Sequence, residues 1–181
     1  MRQSRFVSRF FLLCFSLCVC AHLSYGAFAD IKSFQADFIQ TVSAPDTGTI
    51  TYQGHLIALS PHSVRWTYTT PSPKTIYITD HTAIIYEPRL SQATITRLDQ
   101  KTDFLSILQK AILQTDGRYR SQVGETTYYL TLKDDKPYLL EFQDSFDNTT
   151  KIRFLHPIIN APINASEFVF TPPDGIDIIS Q

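Results

Sequence analysis

Asp103-Phe104-Leu105-Ser106-Ile107-Leu108-Gln109-Lys110-Ala111-Ile112-Leu113 is the one long stretch of this chain whose apolar residues do not alternate. Phe104, Ile107, Leu108, Ala111 and Ile112 follow the spacing of a single apolar stripe along a helix. Thr102 or Asp103 offers an N-cap oxygen, and Lys110 stands near the last carbonyls. The spacing predicts a helix over about 103–113.

Outward from this segment the period is two. Phe34/Ala36/Phe38, Ile50/Tyr52, Leu56/Ala58 and Val64-Arg65-Trp66-Thr67-Tyr68 alternate on the N-terminal side, continued by Ile76/Ile78, Ile84/Tyr86 and Ala93/Ile95. Tyr128/Leu130/Leu132, Tyr138/Leu140/Phe142 and Ile152/Phe154 do so after it. Asp80-His81, Asp134-Asp135-Lys136 and Asp147-Asn148 are apt turn sequences between them. A second, shorter helix is expected around Phe28, Ile31 and Lys32.

About ten strands therefore present one apolar face each, and one solid helix has to cover them. Either the sheet folds on itself as a sandwich or barrel, or it curls into a concave trough that the helix plugs. Alternation alone allows both. In either case the class is mainly β.

The first residues carry Arg2, Arg5 and Arg9 and no acid, followed by an apolar run from Phe10 to Cys20 and then small residues. This reads as a cleavable secretory signal over residues 1–26, cut somewhere in 21–29, and it is short for a membrane span. One domain over 27–181 should remain. Its formal charge moves from −1 to −4 once the three leader cations are gone. Such a surface lacks the basic footprint that nucleic acid or anionic headgroups require.

Cys14, Cys18 and Cys20 all fall within the leader, so the mature chain has no thiol for catalysis, metal binding or disulfides. They follow Leu13, Leu17 and Val19, where a lipidation signal needs a small residue, so a soluble export product is expected. Among the histidines, His55, His62, His81 and His156 show no metal-ligand spacing, and turn or surface roles are expected for them. No nucleophile elbow, phosphate loop or dinucleotide fingerprint is present. Asn164, with Glu167 three residues on, reads as a helix or turn cap. The expectation is a protein that is not an enzyme and that needs no cofactor or metal. The unusual supply is aromatic, with 13 Phe, 9 Tyr and 1 Trp. That is enough to fill a core and also line a site.

Four patterns recur in order: Phe34-x-x-x-Phe38-x-Gln40, Pro61 with Val64-Arg65-Trp66-x-Tyr68-x-x-Pro71, Tyr86-Glu87-Pro88-x-x-x-Gln92-Ala93, and Phe168-x-Phe170-Thr171-Pro172-Pro173-x-Gly175. From about Phe34 to the C-terminus the chain resembles the periplasmic outer-membrane lipoprotein carrier family, LolA. The resemblance implies an incomplete antiparallel β-barrel of about ten to eleven strands, enclosing an apolar cavity under a helical lid. It implies a periplasmic carrier in a Gram-negative bacterium, a monomer in only transient contact with membranes. Such a carrier shields the acyl chains of triacylated lipoproteins. It receives them from an inner-membrane ABC-type release complex and passes them to an outer-membrane acceptor.

By position, Trp66 matches the family's strand tryptophan facing the cavity. Phe104 matches the aromatic near the start of the lid, and Ile107, Leu108 and Ala111 continue its stripe. Phe38, Val64, Tyr68, Ile78, Ile84, Tyr86 and Leu140 are further cavity candidates by alternation. One departure stands out. Family members carry an arginine just before the proline at the Pro61 position, and it bonds the closed lid; here the residue is Ser60. Arg65 alternates with Val64 and Trp66 and should point away from the cavity, so the lid is expected to be held mainly by apolar contacts.

Three other readings remain. The same trough could serve a periplasmic sensor or regulatory domain, or a secreted barrel could bind a fatty acid or sterol. An outer-membrane lipoprotein receptor is disfavoured by the residues before Cys20. Intact mass of the exported chain should match a polypeptide starting between His22 and Asp30. A diacylglyceryl addition at Cys20 would contradict the leader reading.

Overall fold

The alternating segments become strands of one sheet in the computed structural model, which describes residues 28–45, 48–98 and 103–181. The leader over 1–26 and Thr102 lie outside the described residues. Six strands form a first antiparallel meander: β1 (Ser33–Ala44), β2 (Gly48–Leu59), β3 (Ser63–Thr70), β4 (Lys74–Thr79), β5 (Thr82–Glu87) and β6 (Gln92–Arg97). A second contains β7 (Ile112–Leu113), β8 (Tyr119–Val123), β9 (Thr126–Lys133), β10 (Lys136–Gln143) and β11 (Thr149–Ile159). Pairing of β1 with β11, from Phe34↔Ile159 to Ser43↔Thr149, fuses the two. Between them the chain crosses as α1 (Phe104–Gln109).

A short final strand, β12 (Asp177–Ser180), joins β6 in parallel, the exception in an otherwise antiparallel sheet. The resulting order β12-β6-β5-β4-β3-β2-β1-β11-β10-β9-β8-β7 is open, because its two edge strands do not pair with each other. This is the mainly β, incomplete barrel expected, with twelve strands among the described residues rather than ten or eleven. Aspartates build the tight turns as expected, with Asp80, Asp134, Asp135 and Asp147 all at positive φ.

Two local expectations need correction. The helix ends at Gln109 instead of continuing to residue 113. Ile112 and Leu113 pair with Arg120 and Tyr119 as β7, so ladder hydrogen bonds replace the last helical turn, and Ile112 is 69% exposed. Before β1, residues 28–30 form a turn rather than a helix, closed by the Ile31 N–H donating to the Phe28 carbonyl at 3.1 Å. Phe28 and Ile31 are nonetheless buried.

The core occupies one face of the sheet. Phe34, Phe38, Leu56, Val64, Leu130, Leu140 and Phe154 pack there against Phe104, Leu105 and Leu108. The opposite face is crossed by the segment after β11. Asn164 caps a 3-10 turn there, its Oδ1 accepting from the Ser166 N–H at 3.0 Å. Glu167 receives the Arg65 guanidinium at 2.6 Å, so Arg65 does point away from the core. Phe170 sits 5.5 Å from both Tyr77 and Tyr86. The C-terminal aromatic–proline pattern is thus a cover for the outer face.

Gly54 shows how tightly the floor of the trough is built. It pairs with Phe38 across β1 and β2, and the Phe38 ring lies over it. A Cβ here would meet ring carbons of Phe38 at 2.7 and 2.9 Å and overlap the Thr67 carbonyl oxygen. Gly54→Ala should therefore destabilise by about 2–3 kcal/mol, the cost of overpacking against rigid neighbours, seen as a lowered urea midpoint. An unchanged midpoint would contradict this packing.

Candidate functional site

Register decides which side chains reach the concave face. Val64, Trp66 and Tyr68 on β3 stand beside Ile78, Ile76 and Lys74 on β4. Ile76 and Ile78 in turn stand beside Ile85 and Ala83 on β5. A cavity of about 220 Å³ lies over this face. It is lined by Trp66, Tyr68, Ile78, Leu140, Phe104 and Ile107, all expected, and by Gln40, Asp103, Tyr128, Phe142 and Ile152, which are additions. Ile78 and Tyr128 also line an open vestibule of about 790 Å³, whose banks are Leu98 on one side and Val123–Thr126 with Gln143–Ser145 on the other. The two spaces thus share Ile78 and Tyr128 in their walls.

Other expected residues sit elsewhere. Phe38 and Val64 are fully buried in the floor; the Phe38 ring meets Trp66 and Tyr68 edge-on, each at 5.1 Å. Leu108, on α1, and Ala111, just beyond its end, are buried but do not line the cavity. Ile84 and Tyr86 are on the opposite face: Ile84 pairs with Tyr77, Tyr86 pairs with Thr75, and Tyr86 packs on Phe170. Ala83 and Ile85 take the inner positions instead. The strand is apolar in both phases, so alternation cannot choose between them.

Phe104 is the plug. Its ring lies 4.8 Å from Phe34, 5.2 Å from Phe154 and 6.3 Å from Trp66, in tilted or edge-on contacts. Such pairs contribute about 0.5–1.5 kcal/mol each beyond the area they bury. A six-residue helix has no stability of its own. Burial of Phe104, Leu105, Ile107 and Leu108 holds it in place.

Polar ties fasten both ends. Asp103, with a side chain only 3% exposed, accepts from the Ser106 N–H at 2.9 Å and the Ser106 hydroxyl at 2.8 Å. The same carboxylate accepts from His62 Nδ1 at 2.7 Å. At the other end, Gln109 Nε2 donates to the Ile31 carbonyl at 3.0 Å. His62 does lie in a turn, as expected for it, but it also joins the β2–β3 turn to the cap of α1. The expectation of mainly apolar retention is thus incomplete. Among the described residues, Ser60 makes no side-chain hydrogen bond to the helix; the side chain of His62, two residues on, bonds its cap. Sequence offers one clue, an N-cap aspartate whose partner cannot be read from spacing.

Comparison with known proteins gives a consistent picture. Residues 29–137 match the family model described as outer membrane lipoprotein carrier protein LolA. The chain is 42% identical over 153 residues to the outer-membrane lipoprotein carrier protein of Helicobacter pylori (strain J99), covering 84% of this chain and 82% of that one. It is 37% identical over 172 residues to the protein of the same name from Helicobacter hepaticus, covering 94% of each. Among solved structures, an uncharacterized conserved protein from Thermus thermophilus superposes with a TM-score of 0.54 at 12% identity, covering 88% of this chain and 96% of that one. That last likeness concerns the fold alone.

Replacing Asp103 by Ala should remove the cap and strand His62. The expected loss is about 2–3 kcal/mol, from a cap and a hydrogen bond to a charged group. Ser60→Ala should stay within about 0.5 kcal/mol of the parent. Urea midpoints of both variants check this, and equal midpoints would count against the tie.

Proposed function

The chain belongs to the outer membrane lipoprotein carrier family, and from that membership we propose that it carries acylated lipoproteins across the periplasm to the outer membrane. The acyl chains rest on the concave face, along the wall formed by Trp66, Tyr68, Ile78, Leu140, Phe104 and Ile107. Cargo arrives from an inner-membrane ABC-type release complex and leaves to an outer-membrane acceptor. Carriage makes and breaks no covalent bond, so the reading assigns no catalytic group.

The observation that carries it is the largely apolar cavity on the concave face, beside a larger vestibule with which it shares Ile78 and Tyr128, with Phe104 seated between the two halves of the sheet. Burying an acyl chain is worth ~0.8 kcal/mol per methylene, so three chains in water would cost on the order of 30 kcal/mol. A shielding surface is therefore obligatory for transit. The cavity of about 220 Å³ falls below the ~300–1,000 Å³ of ordinary small-ligand pockets. Three chains cannot fit while Phe104 is seated. On this reading α1 is the lid that cargo displaces.

Two outcomes follow. A fluorescent acyl probe should bind and change the emission of Trp66, the sole tryptophan. Phe104→Glu, which sets a carboxylate among three aromatic rings, should unseat the lid and leave lipoproteins at the inner membrane in a strain depending on this carrier. Probe binding that leaves Trp66 emission untouched, or full sorting by Phe104→Glu, would overturn the reading.

A further inference from the structure

Plain acyl chains use only the apolar part of the concave face. Beside it runs a row of four polar side chains, one from each of four neighbouring strands: Gln40 on β1, Tyr52 on β2, Tyr68 on β3 and Lys74 on β4. Register sets Gln40 opposite Tyr52 and Tyr68 opposite Lys74, so all four lie on one face. The rings of Tyr52 and Tyr68 meet edge-on at 5.9 Å.

The Tyr68 hydroxyl donates to Gln40 Oε1 at 2.9 Å, which fixes the amide and leaves its N–H donors with no partner among the described residues. Lys74 Nζ lies 4.7 Å from the Tyr68 ring centre and 5.5 Å from that of Tyr52. No carboxylate among the described residues pairs with it. Gln40 and Tyr68 are themselves part of the cavity wall, next to Trp66 and Phe104.

We propose that this row is a headgroup station for a single-tailed anionic amphiphile, binding the carboxylate or phosphate oxygens of a lipid whose tail lies in the cavity. The proposal rests on the concave face being an acyl-chain site. Its chemistry is complementary at each point. The ammonium supplies the countercharge, and its hydrogens are not consumed by the ring faces beneath it. The Gln40 amide donates a hydrogen bond. Burial, and secondarily Tyr52, push the Tyr68 phenol up to about 12, so it stays neutral and keeps its bond to Gln40 at any physiological pH.

Placement within the trough agrees. The buried carboxylate Asp103 is tied to His62, adjacent to the first residue of β3, whereas Tyr68 lies near the other end of that strand. An anion therefore binds at the lysine end and away from the acid. The cavity of about 220 Å³ admits part of one tail and not three, so such a ligand binds without unseating Phe104. The ester and amide carbonyls of a triacylated lipoprotein carry no charge to match Lys74, which makes this a ligand class distinct from that cargo and a competitor of it.

The test displaces a neutral fluorescent probe, N-phenyl-1-naphthylamine, from the mature protein. The competitors are dodecanoate, methyl dodecanoate, dodecyl phosphate and inorganic phosphate, with the lipids below their micellar concentrations. Dodecanoate should displace the probe at about tenfold lower concentration than its methyl ester, a difference of about 1.4 kcal/mol. Dodecyl phosphate should behave like the acid, and inorganic phosphate should do nothing. Lys74→Met should abolish the difference and Lys74→Arg should keep most of it. Equal displacement by acid and ester, a preference that survives Lys74→Met, or displacement by phosphate alone overturns the station. Failure of the probe and every lipid to bind overturns the carrier reading itself; binding without acid preference overturns the station only.

Discussion

Insertion of one ring, Phe104, into the concave face is the interaction on which the rest depends. The sheet offers a core face contributed by most of its strands, and among the described residues α1 is the only α-helix available to cover it. Phe34 and Phe154, from the two strands that fuse the meanders, both contact that ring. Trp66 approaches it from the first meander. Without the plug, the joined halves would leave their shared apolar surface to water. With it, the surface divides into a buried floor and a small cavity.

Magnitudes decide how such a plug can also be a lid. Losing a buried phenylalanine from its contacts costs about 3–5 kcal/mol. The tie from His62 to Asp103 adds about 1.5–3 kcal/mol at most, and the bond from Gln109 to Ile31 adds about 0.5–1.5 kcal/mol. Relative to chains left in water, burial on the concave face gains several times their sum. On the proposed carrier reading, that gain exceeds the cost of displacing α1. A surplus much larger than this would trap the cargo, and the polar ties keep the surplus down by making opening costly.

Legibility from sequence follows the same physics. The helix is visible because Phe104, Ile107, Leu108 and Ala111 break the period of two, and the turns are visible because aspartate tolerates positive φ. Ile84 and Tyr86 mislead because Ala83-Ile84-Ile85-Tyr86 is apolar in both phases, and the outer face, covered by Phe168 and Phe170, admits apolar residues too. The early end of α1 is hidden because two residues of edge pairing outweigh a good helical stripe. His62 and Gln40 matter through partners 41 and 28 residues away, and no local pattern announces such contacts.

Site-specific photo-crosslinking tests the central claim, that cargo rides on the concave face under Phe104. A photoreactive residue at Leu140, on that face, is compared with one at Ile84, on the covered outer face, in cells making an acylated lipoprotein. The account predicts a crosslink between carrier and lipoprotein from position 140 that disappears when the lipoprotein's acylated cysteine is replaced, and none from position 84. Crosslinking from position 84 and not from 140 would contradict it.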